Sequence, residues 1–518
     1  MPLTVHLAGY NVDADLLRET VELLQNIEHE IALADRPSGG GGEPRGRFER
    51  LIERIRSVFS PESFTPETIS AAYARISRDP KHVTELRRAA RFGVARARKS
   101  NENIIFGLGH ASVAEHACFN FDVSGISRLA CEELQAHRLL SFTEKSQRYV
   151  TLTADWVLPA ELAGTRWETE FQGVIPVLFA EYETLCSRLQ EHYRRESGRE
   201  PGKEEERELK NRSKEDARYL LPLACATQMG MTANARNVEH VVRDFSDHPL
   251  REIRDLGTAI HQAVSGLAPS LVKYTQRGPY PRSNVSALAE SLPRRRDLPP
   301  EEYSTGPSAR LVEATPDGEE RILWAVAFTL GMSAAAWSTL QAKLGDRAAL
   351  WRLLFRDMTE HDGAPREFEV ATLTFEALIS ASCFAQLKRH RMMTLLPQPY
   401  DPALGFVLPP GIRAAGLEPS YVTAIRACSS RAAELAAEHP LLAPYLLTNG
   451  HRRRVLIHLN ARELYHFARL RSDHHAQWEI RSLSDQMLAQ ARAVWPNACA
   501  LACGKDGFAA AYRRQQKG

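Results

Sequence analysis

Cysteine is sparse, with eight residues in 518 (Cys118, Cys131, Cys186, Cys225, Cys383, Cys428, Cys499 and Cys503) and no C-x-x-C pair. That spacing excludes a dithiol redox motif or zinc ribbon and fits a reducing compartment. An excess of one charge is also missing, since 66 basic against 64 acidic residues leave a formal net charge of +2. No overall field draws a polyanion, so nucleic acid is not an expected partner and any anion site must be local. The amino terminus, Met1-Pro2-Leu3-Thr4-Val5-His6, lacks a basic region followed by an apolar one, so export is not expected and a cytoplasmic location is. Long apolar runs are scarce too. The longest, Ile322 to Ala342, is diluted by Thr329, Ser333, Ser338, Thr339 and Gln341, and predicts a buried helix rather than a membrane span.

What is present is an ordinary globular composition, 43% hydrophobic and 25% charged, in a chain too long for one core. The stretch Arg277 to Pro307, with Pro279, Pro281, Pro293, Pro299, Pro300, Pro307 and the run Arg294-Arg295-Arg296, reads as a linker. It divides the chain into residues 1–276, 277–307 and 308–518. Gly39 to Gly42 reads as a surface loop and Lys203 to Glu215 as a solvated helix.

The two halves repeat each other. Ala136-His137-Arg138 in the first matches Arg389-His390-Arg391 in the second. Each follows an alternating run, Ala117 to Val123 or Val370 to Phe375, that predicts a strand with a helix after it. Asn234-Ala235-Arg236 then matches Asn460-Ala461-Arg462, and Glu252-Ile253-Arg254 follows after 18 residues where Glu479-Ile480-Arg481 follows after 19. Beyond each glutamate a helical apolar pattern (Ile253, Leu256, Ile260, Val264; Ile480, Leu483, Met487, Ala491) runs to Pro269 or Pro496. Matches recurring in one order point to an internal duplication.

The segment Gly107 to Tyr149 is the richest in chemistry. Arg138, Ser141, Ser146 and Arg148 supply forked guanidinium donors and rotatable hydroxyls suited to phosphate, although the same residues suit a salt-bridged surface. His116, His240 and His466 read by residue type as core histidines, and Arg452-Arg453-Arg454 as a solvated face. His474-His475 with Glu479 has partial metal spacing but no H-E-x-x-H helix, so no metal is expected. Cys499 and Cys503 read as packing residues.

The run His137-Arg138-Leu139-Leu140-Ser141-Phe142-Thr143-Glu144-Lys145-Ser146-Gln147-Arg148-Tyr149 resembles the signature of the flavin-dependent thymidylate synthases, and Gly109 to His116 resembles their upstream G-H-x-[ST]-x-x-E-H block. Asn460 to Ile480, 21 contiguous residues, is similar to the family's carboxy-terminal block. The resemblance implies an α+β fold of two tandem repeats, each an antiparallel sheet packed by helices. It also shows that the copies are degenerate in complementary ways. The first keeps Glu144, Ser146, Arg148 and Arg218 but begins its signature with Ala136 and has no arginine at the family's catalytic position, Arg243 standing two residues early. The second keeps Gln386, Arg389-His390-Arg391 and Arg471 but continues as Met392 to Tyr400 without the serines or final arginine, and has Pro444 where the first has Arg218.

By this resemblance Arg471 is catalytic. Glu144, Ser146, Gln147, Arg148, Arg218, Gln386 and Arg389 bind dUMP, and Ser112, His137, Arg138, Asn234, Arg236, His390, Arg391, Asn460, Arg462 and His466 bind FAD. The implied reaction is C5 methylation of dUMP with methylenetetrahydrofolate and NADPH as co-substrates, in a family whose tetramers build each site from several chains. Two such chains would restore that tetramer as a homodimer. A uridine nucleotide other than dUMP, or a non-catalytic flavin- or nucleotide-binding role, are the alternative readings.

Overall fold

The computed structural model describes residues 2–34, 61–278, 280, 282–292, 299, 301–341 and 343–517. The run Gly39–Gly42, the linker prolines Pro279, Pro281, Pro293 and Pro300, and Arg294-Arg295-Arg296 lie outside the described residues. Strands in chain order are β1 (Thr4–Tyr10), β2 (Cys118–Ser127), β3 (Ser141–Glu144), β4 (Ala226–Asn234), β5 (Tyr303–Ser304), β6 (Ser308–Ala314), β7 (Thr372–Ser380), β8 (Thr394–Pro397), β9 (Phe406–Val407) and β10 (Arg452–Asn460). Two sheets have the same order, β1-β2-β4-β3 and β6-β7-β10-β8. The pairs β1·β2, β3·β4, β6·β7, β7·β10 and β8·β10 are antiparallel. Even the irregularities repeat, the register shifting between Leu7 and Gly9 in β1 and between Leu311 and Glu313 in β6. The fold is α+β in two tandem repeats.

Local sequence explains the repeated elements. In β2, buried Phe119, Phe121 and Val123 alternate with Asn120 and Asp122, and in β10 buried Val455, Ile457 and Leu459 alternate with Leu456 and His458. Both β2 and β7 run beyond the expected segments, because pairing continues past the break in alternation. Each ends in a serine that caps a helix. Ser127 Oγ accepts from Ala130 N–H ahead of Arg128–Gln135, and Ser380 Oγ accepts from Cys383 N–H ahead of Ala381–Leu387, both at 3.0 Å. Strands β4 and β10 end in capping asparagines. Asn234 Oδ1 accepts from Asn237 N–H (2.9 Å) and Asn460 Oδ1 from Glu463 N–H (2.8 Å), starting Ala235–Phe245 and Ala461–Arg471. An N-cap of this kind contributes about 1 kcal/mol. The helices Arg251–Ser265 and Trp478–Val494 bury the apolar residues that define their periodicity.

Three expectations are corrected. The apolar run from Ile322 is broken into Gly318–Thr329 and Ala334–Gln341 at Gly331, whose φ of 95° no helix accommodates, and Phe328 and Leu330 are exposed. Arg452 and Arg453 are buried rather than solvated, because they lie inside β10 and find acceptors there, Leu404 C=O for Arg452 and the Glu132 carboxylate for Arg453. His116 and His466 are exposed, not core. Within the proline-rich stretch, Arg282–Ser291 is helical. Among the described residues no helix is long and apolar enough to cross a membrane.

The chain divides into two compact units. One comprises Met1–Ile126, Leu139–Lys145 and Ala226–Pro293, and the other Ser127–Arg138, Ser146–Cys225 and Arg294–Gly518. The second unit thus joins the β6-β7-β10-β8 sheet to first-copy helices, Arg128–Gln135, Arg166–Ser197 and Lys203–Ala217. Inside it the copies meet reciprocally. Leu223 and Ala224 N–H donate to the carbonyls of Leu447 (2.7 Å) and Tyr445 (3.2 Å), while Asn449 and Gly450 N–H donate to those of Leu221 (2.9 Å) and Tyr219 (2.7 Å). Pro222 and Thr448 are antiparallel bridge partners at the centre of this exchange. The local two-fold relation therefore equates Leu223 with Asn449 and Arg218 with Pro444.

Candidate active site

The second unit gathers arginines from both copies. Arg218 follows the helix Lys203–Ala217, is buried, and has its Nε and one terminal nitrogen without a hydrogen-bond acceptor. Burial, above all, pushes its pKa down, and the charges of Arg148 and Arg128 push the same way against Glu215. Arg148 pairs with Glu215 at 2.5 Å while its own Nε lacks an acceptor. Its main-chain N–H donates to Ser146 Oγ (3.2 Å), a tight turn that leaves the serine hydroxyl proton to rotate. Arg471, the last residue of its helix, is half-buried, and its pKa falls through burial first and then through the charges of Arg389 and Arg148. Arg389 is exposed at the turn after Ala381–Leu387. Guanidiniums that each depress a neighbour, two of them holding buried donors without acceptors, form a site short of an anion.

Polar side chains brace this cluster. Asn449 Nδ2 donates to Gln147 Oε1 and to Arg218 C=O, both at 3.0 Å. Gln386 Nε2 donates to Gln477 Oε1 (3.3 Å), and Gln477 Nε2 donates to Tyr219 Oη (2.9 Å). Tyr219 in turn donates to the buried Glu479 (2.5 Å), which also accepts from Ser380 Oγ and N–H. Glu479 is therefore a structural acceptor and no partner of His474-His475.

Arg471 Nε donates to His390 Nε2 at 2.8 Å. The imidazole proton must then sit on Nδ1, which faces Glu463 Oε1 at 3.7 Å. Burial, reinforced by Arg471 and His466, holds His390 down at about 3, so it is neutral. His390, Glu463 and His466 place ligand atoms within 4.8 Å of one another. A cation on Nδ1 would require Nε2 to carry the proton and so oppose the Arg471 donor. The trio suits a hydrogen-bonding surface better than a metal.

Two cavities flank these histidines, whose rings are 5.7 Å apart. One, about 320 Å³, is lined by Asn460, Arg462, His466, Arg469 and Met392 among others. The second, about 340 Å³, is lined by Arg138, His390, Arg391, Lys388 and Leu395 among others. Six of the expected flavin residues thus line cavities, and His137, half-buried with Nδ1 near Leu134 C=O, lines neither. Ser112, Asn234, Arg236 and Glu144 belong to the other unit, where Asn234 caps its helix, Arg236 pairs with Glu115 (2.5 Å) and Glu144 accepts from Thr227 (3.2 Å).

Four residues of this region escaped sequence reading: Glu215, Asn449, Gln477 and Glu369. Glu369 pairs with Arg462 at 2.8 Å as Glu115 pairs with Arg236. The signal was present, since each glutamate stands two residues before an alanine (Ala117 or Ala371) whose carbonyl accepts from the residue after the capping asparagine.

The corresponding position in the opposite sense is built from different side chains, and two of them, Glu132 and Arg453, also line the 340 Å³ cavity. Ser141 pairs with Thr232 and Thr394 with His458, equivalent places before Asn234 and Asn460, so Ser146, Gln147 and Arg148 answer to Pro399, Tyr400 and Asp401. Tyr400 donates to Glu132 (3.0 Å), Arg453 pairs with Glu132 (2.8 Å), and the Arg453 guanidinium lies 4.1 Å from the Tyr400 ring centre. There the one guanidinium, Arg453, is already neutralised by Glu132 and stacked on a ring, whereas the other side keeps arginine donors without acceptors.

The profile of the Thy1 family, thymidylate synthase complementing protein, matches residues 62–270 and 310–497. The chain belongs to this family. A UPF0159 protein of Thermoplasma acidophilum is 23% identical over 474 residues, covering 83% of this chain and 93% of that protein. A flavin-dependent thymidylate synthase of Clostridium tetani is 29% identical over 215 residues, covering 40% of this chain and 82% of its own. A solved flavin dependent thymidylate synthase from Helicobacter pylori, complexed with FAD and dUMP, is 23% identical, covers 41% of this chain and 96% of its own, and gives a TM-score of 0.29. Within the Thy1 family this chain therefore has relatives of double length, like itself, and relatives the size of one copy.

Proposed function

We propose that this chain catalyses reductive C5 methylation of dUMP, with methylenetetrahydrofolate as carbon donor, FAD as cofactor and NADPH as reductant. The observation that carries the reading is the buried Arg218 with unmet donors beside Arg148, Arg389 and Arg471. A nucleotide phosphate supplies the missing acceptors, and the rotatable Ser146 hydroxyl adds a donor. Membership of a family that includes flavin-dependent thymidylate synthases supports FAD. Donors suited to its diphosphate line the two cavities, Arg462, Arg469, Arg138, Arg391 and Lys388, with apolar walls from Met392, Met393 and Leu395. They stand beside the carboxylates Glu132, Glu133, Glu360, Asp362, Glu369 and Glu463, and a diphosphate would have to displace Glu369 from Arg462 in particular. When bound, reduced FAD supplies the hydride that completes the methyl group. Arg471, oriented by His390, offers a guanidinium to negative charge growing on the pyrimidine oxygens as C5 becomes nucleophilic. The chemistry asks for no protein nucleophile, and burial pushes the thiols of Cys428 and Cys499 up to about 12.

The test is turnover of purified protein with NADPH, methylenetetrahydrofolate and dUMP, UMP or dCMP in parallel. The expected result is methylated product from dUMP, dependent on FAD. Absence of product from all three nucleotides with FAD present overturns the reading, and product from UMP alone reassigns the substrate.

A further inference from the structure

Position 449 differs between copies in a way the two-fold exchange makes visible. Its equivalent, Leu223, is buried and apolar, whereas Asn449 is equally buried and amphoteric. All its main-chain groups are satisfied, N–H by Leu221 C=O and C=O by Ser382 N–H, both at 2.9 Å. The side chain is thus free for another task. Its Nδ2 reaches Arg218 C=O and Gln147 Oε1, each at 3.0 Å, so one carboxamide ties the arginine with unmet donors to the loop that carries Ser146 and Arg148.

The polarity of this contact is determined by chemistry. A main-chain carbonyl can only accept, so the atom facing Arg218 must be the amide nitrogen, and Asn449 cannot be flipped. The same nitrogen faces Gln147, which must then present its oxygen. Its own NH2 is left as a donor, the polarity an acceptor-only ligand requires. Leu223 can impose nothing of the kind on Tyr400, the counterpart of Gln147, which spends its hydroxyl on Glu132. The asparagine stands only on the side that keeps the arginines.

We infer that Asn449 is a positioning residue for the nucleotide, holding Gln147 in the donor orientation and Arg218 in place through its main chain. This rests on the proposed uridylate site. The test titrates dUMP into full-length, FAD-loaded protein, comparing wild type, Asn449→Leu, Asn449→Asp, Gln147→Ala and the double variant Asn449→Leu/Gln147→Ala. Asn449→Leu is expected to raise the dUMP Kd about tenfold, the worth of one oriented hydrogen bond, with kcat at saturation retained. Asn449→Asp keeps size and shape but reverses the polarity, and should lose as much. The double variant should lose less than the product of the two single losses, because the part of the Asn449 effect that runs through Gln147 is already gone. Multiplicative losses in the double variant, or an Asn449→Asp protein with wild-type affinity, reduce Asn449 to packing and overturn the inference. If the Asn449 variants fail to fold, Gln147→Glu decides, since it retains the acceptor towards Asn449 while it loses the donor and adds a negative charge; unchanged affinity then overturns the inference. A wild-type protein that binds FAD but no dUMP overturns the uridylate site itself, a different result from either.

Discussion

Arginines that lack acceptors make the sharpest demands on experiment. Arg471 spends its Nε–H on His390 and leaves the rest of its fork to the site. Arg471→Ala is therefore expected to abolish turnover while FAD absorbance stays near wild type, whereas Arg243→Ala, at the degenerate place in the other copy, should leave kcat within about twofold, a change under 0.5 kcal/mol. Steady-state kinetics with flavin quantitation on both variants checks the contrast, and equal losses would show that the first copy's arginine also works. His390 carries a second consequence. Its folded value of about 3 lies below the ordinary 6.5, so the unfolded chain takes up the proton first. The stability held by neutral His390 is complete above pH 6.5 and is lost as the pH falls towards 3, at up to about 1.4 kcal/mol per pH unit. Asp216, raised to about 6 by burial, has the opposite sign, but it is present in wild type and variant alike. Urea unfolding at pH 7.5, 6.0 and 5.0 should therefore show a steeper acid loss in wild type than in His390→Asn, and parallel slopes would mean that His390 is protonated in the folded protein.

At the scale of elements, the start of Trp478–Val494 is tied to the first copy through Tyr219. That hydroxyl donates to Glu479 and accepts from Gln477, while Trp478 Nε1 donates to Asp216 at 2.8 Å. Tyr219→Phe leaves a fully buried carboxylate short of a donor, so a loss of about 1–3 kcal/mol in unfolding free energy is expected, measured by chemical denaturation, with Gln386 less firmly held and the dUMP KM raised. A variant of undiminished stability would show that Glu479 is protonated and satisfied by Ser380. These elements were legible in the sequence to different depths. The Ser and Asn caps, the buried faces of Arg251–Ser265 and Trp478–Val494, and the strands before each His-Arg pair follow from local periodicity and capping. The break at Gly331 was not readable, because an apolar run does not announce a left-handed residue. Buried Arg452 and Arg453 were missed because three consecutive arginines look solvated until the strand and its acceptors are in place. Asn449 carried no motif at all, and its meaning comes from Leu223, which only the reciprocal hydrogen bonds identify as its equivalent.

At the scale of the whole molecule, complementary loss becomes a statement about how many sites a chain holds. Asp401, Tyr400 and Pro444 stand where Arg148, Gln147 and Arg218 stand on the other side, and the one buried guanidinium there, Arg453, is paired with Glu132. Equilibrium dialysis with dUMP should therefore saturate at one nucleotide per chain, and two per chain would show that the counterpart binds nucleotide without those residues. The same asymmetry decides whether sites form within a chain or between chains. Arg148 of the first copy and Arg471 of the second act on one another inside one compact unit of one chain, although the family resemblance allows sites shared between subunits. Arg148→Ala should weaken dUMP binding by about 1.5–3 kcal/mol, roughly tenfold to a hundredfold, and Arg471→Ala should remove turnover. The two full-length variants can then be mixed under conditions where differently tagged subunits are seen to exchange by light scattering and pull-down, which also measures whether the protein is the expected homodimer. If each site is completed within its own chain, every site in the mixture still carries one of the two lesions, and activity should equal the average of the separate variants. Recovery towards a quarter or more of wild-type turnover at low dUMP would instead place Arg148 and Arg471 of a working site on different chains.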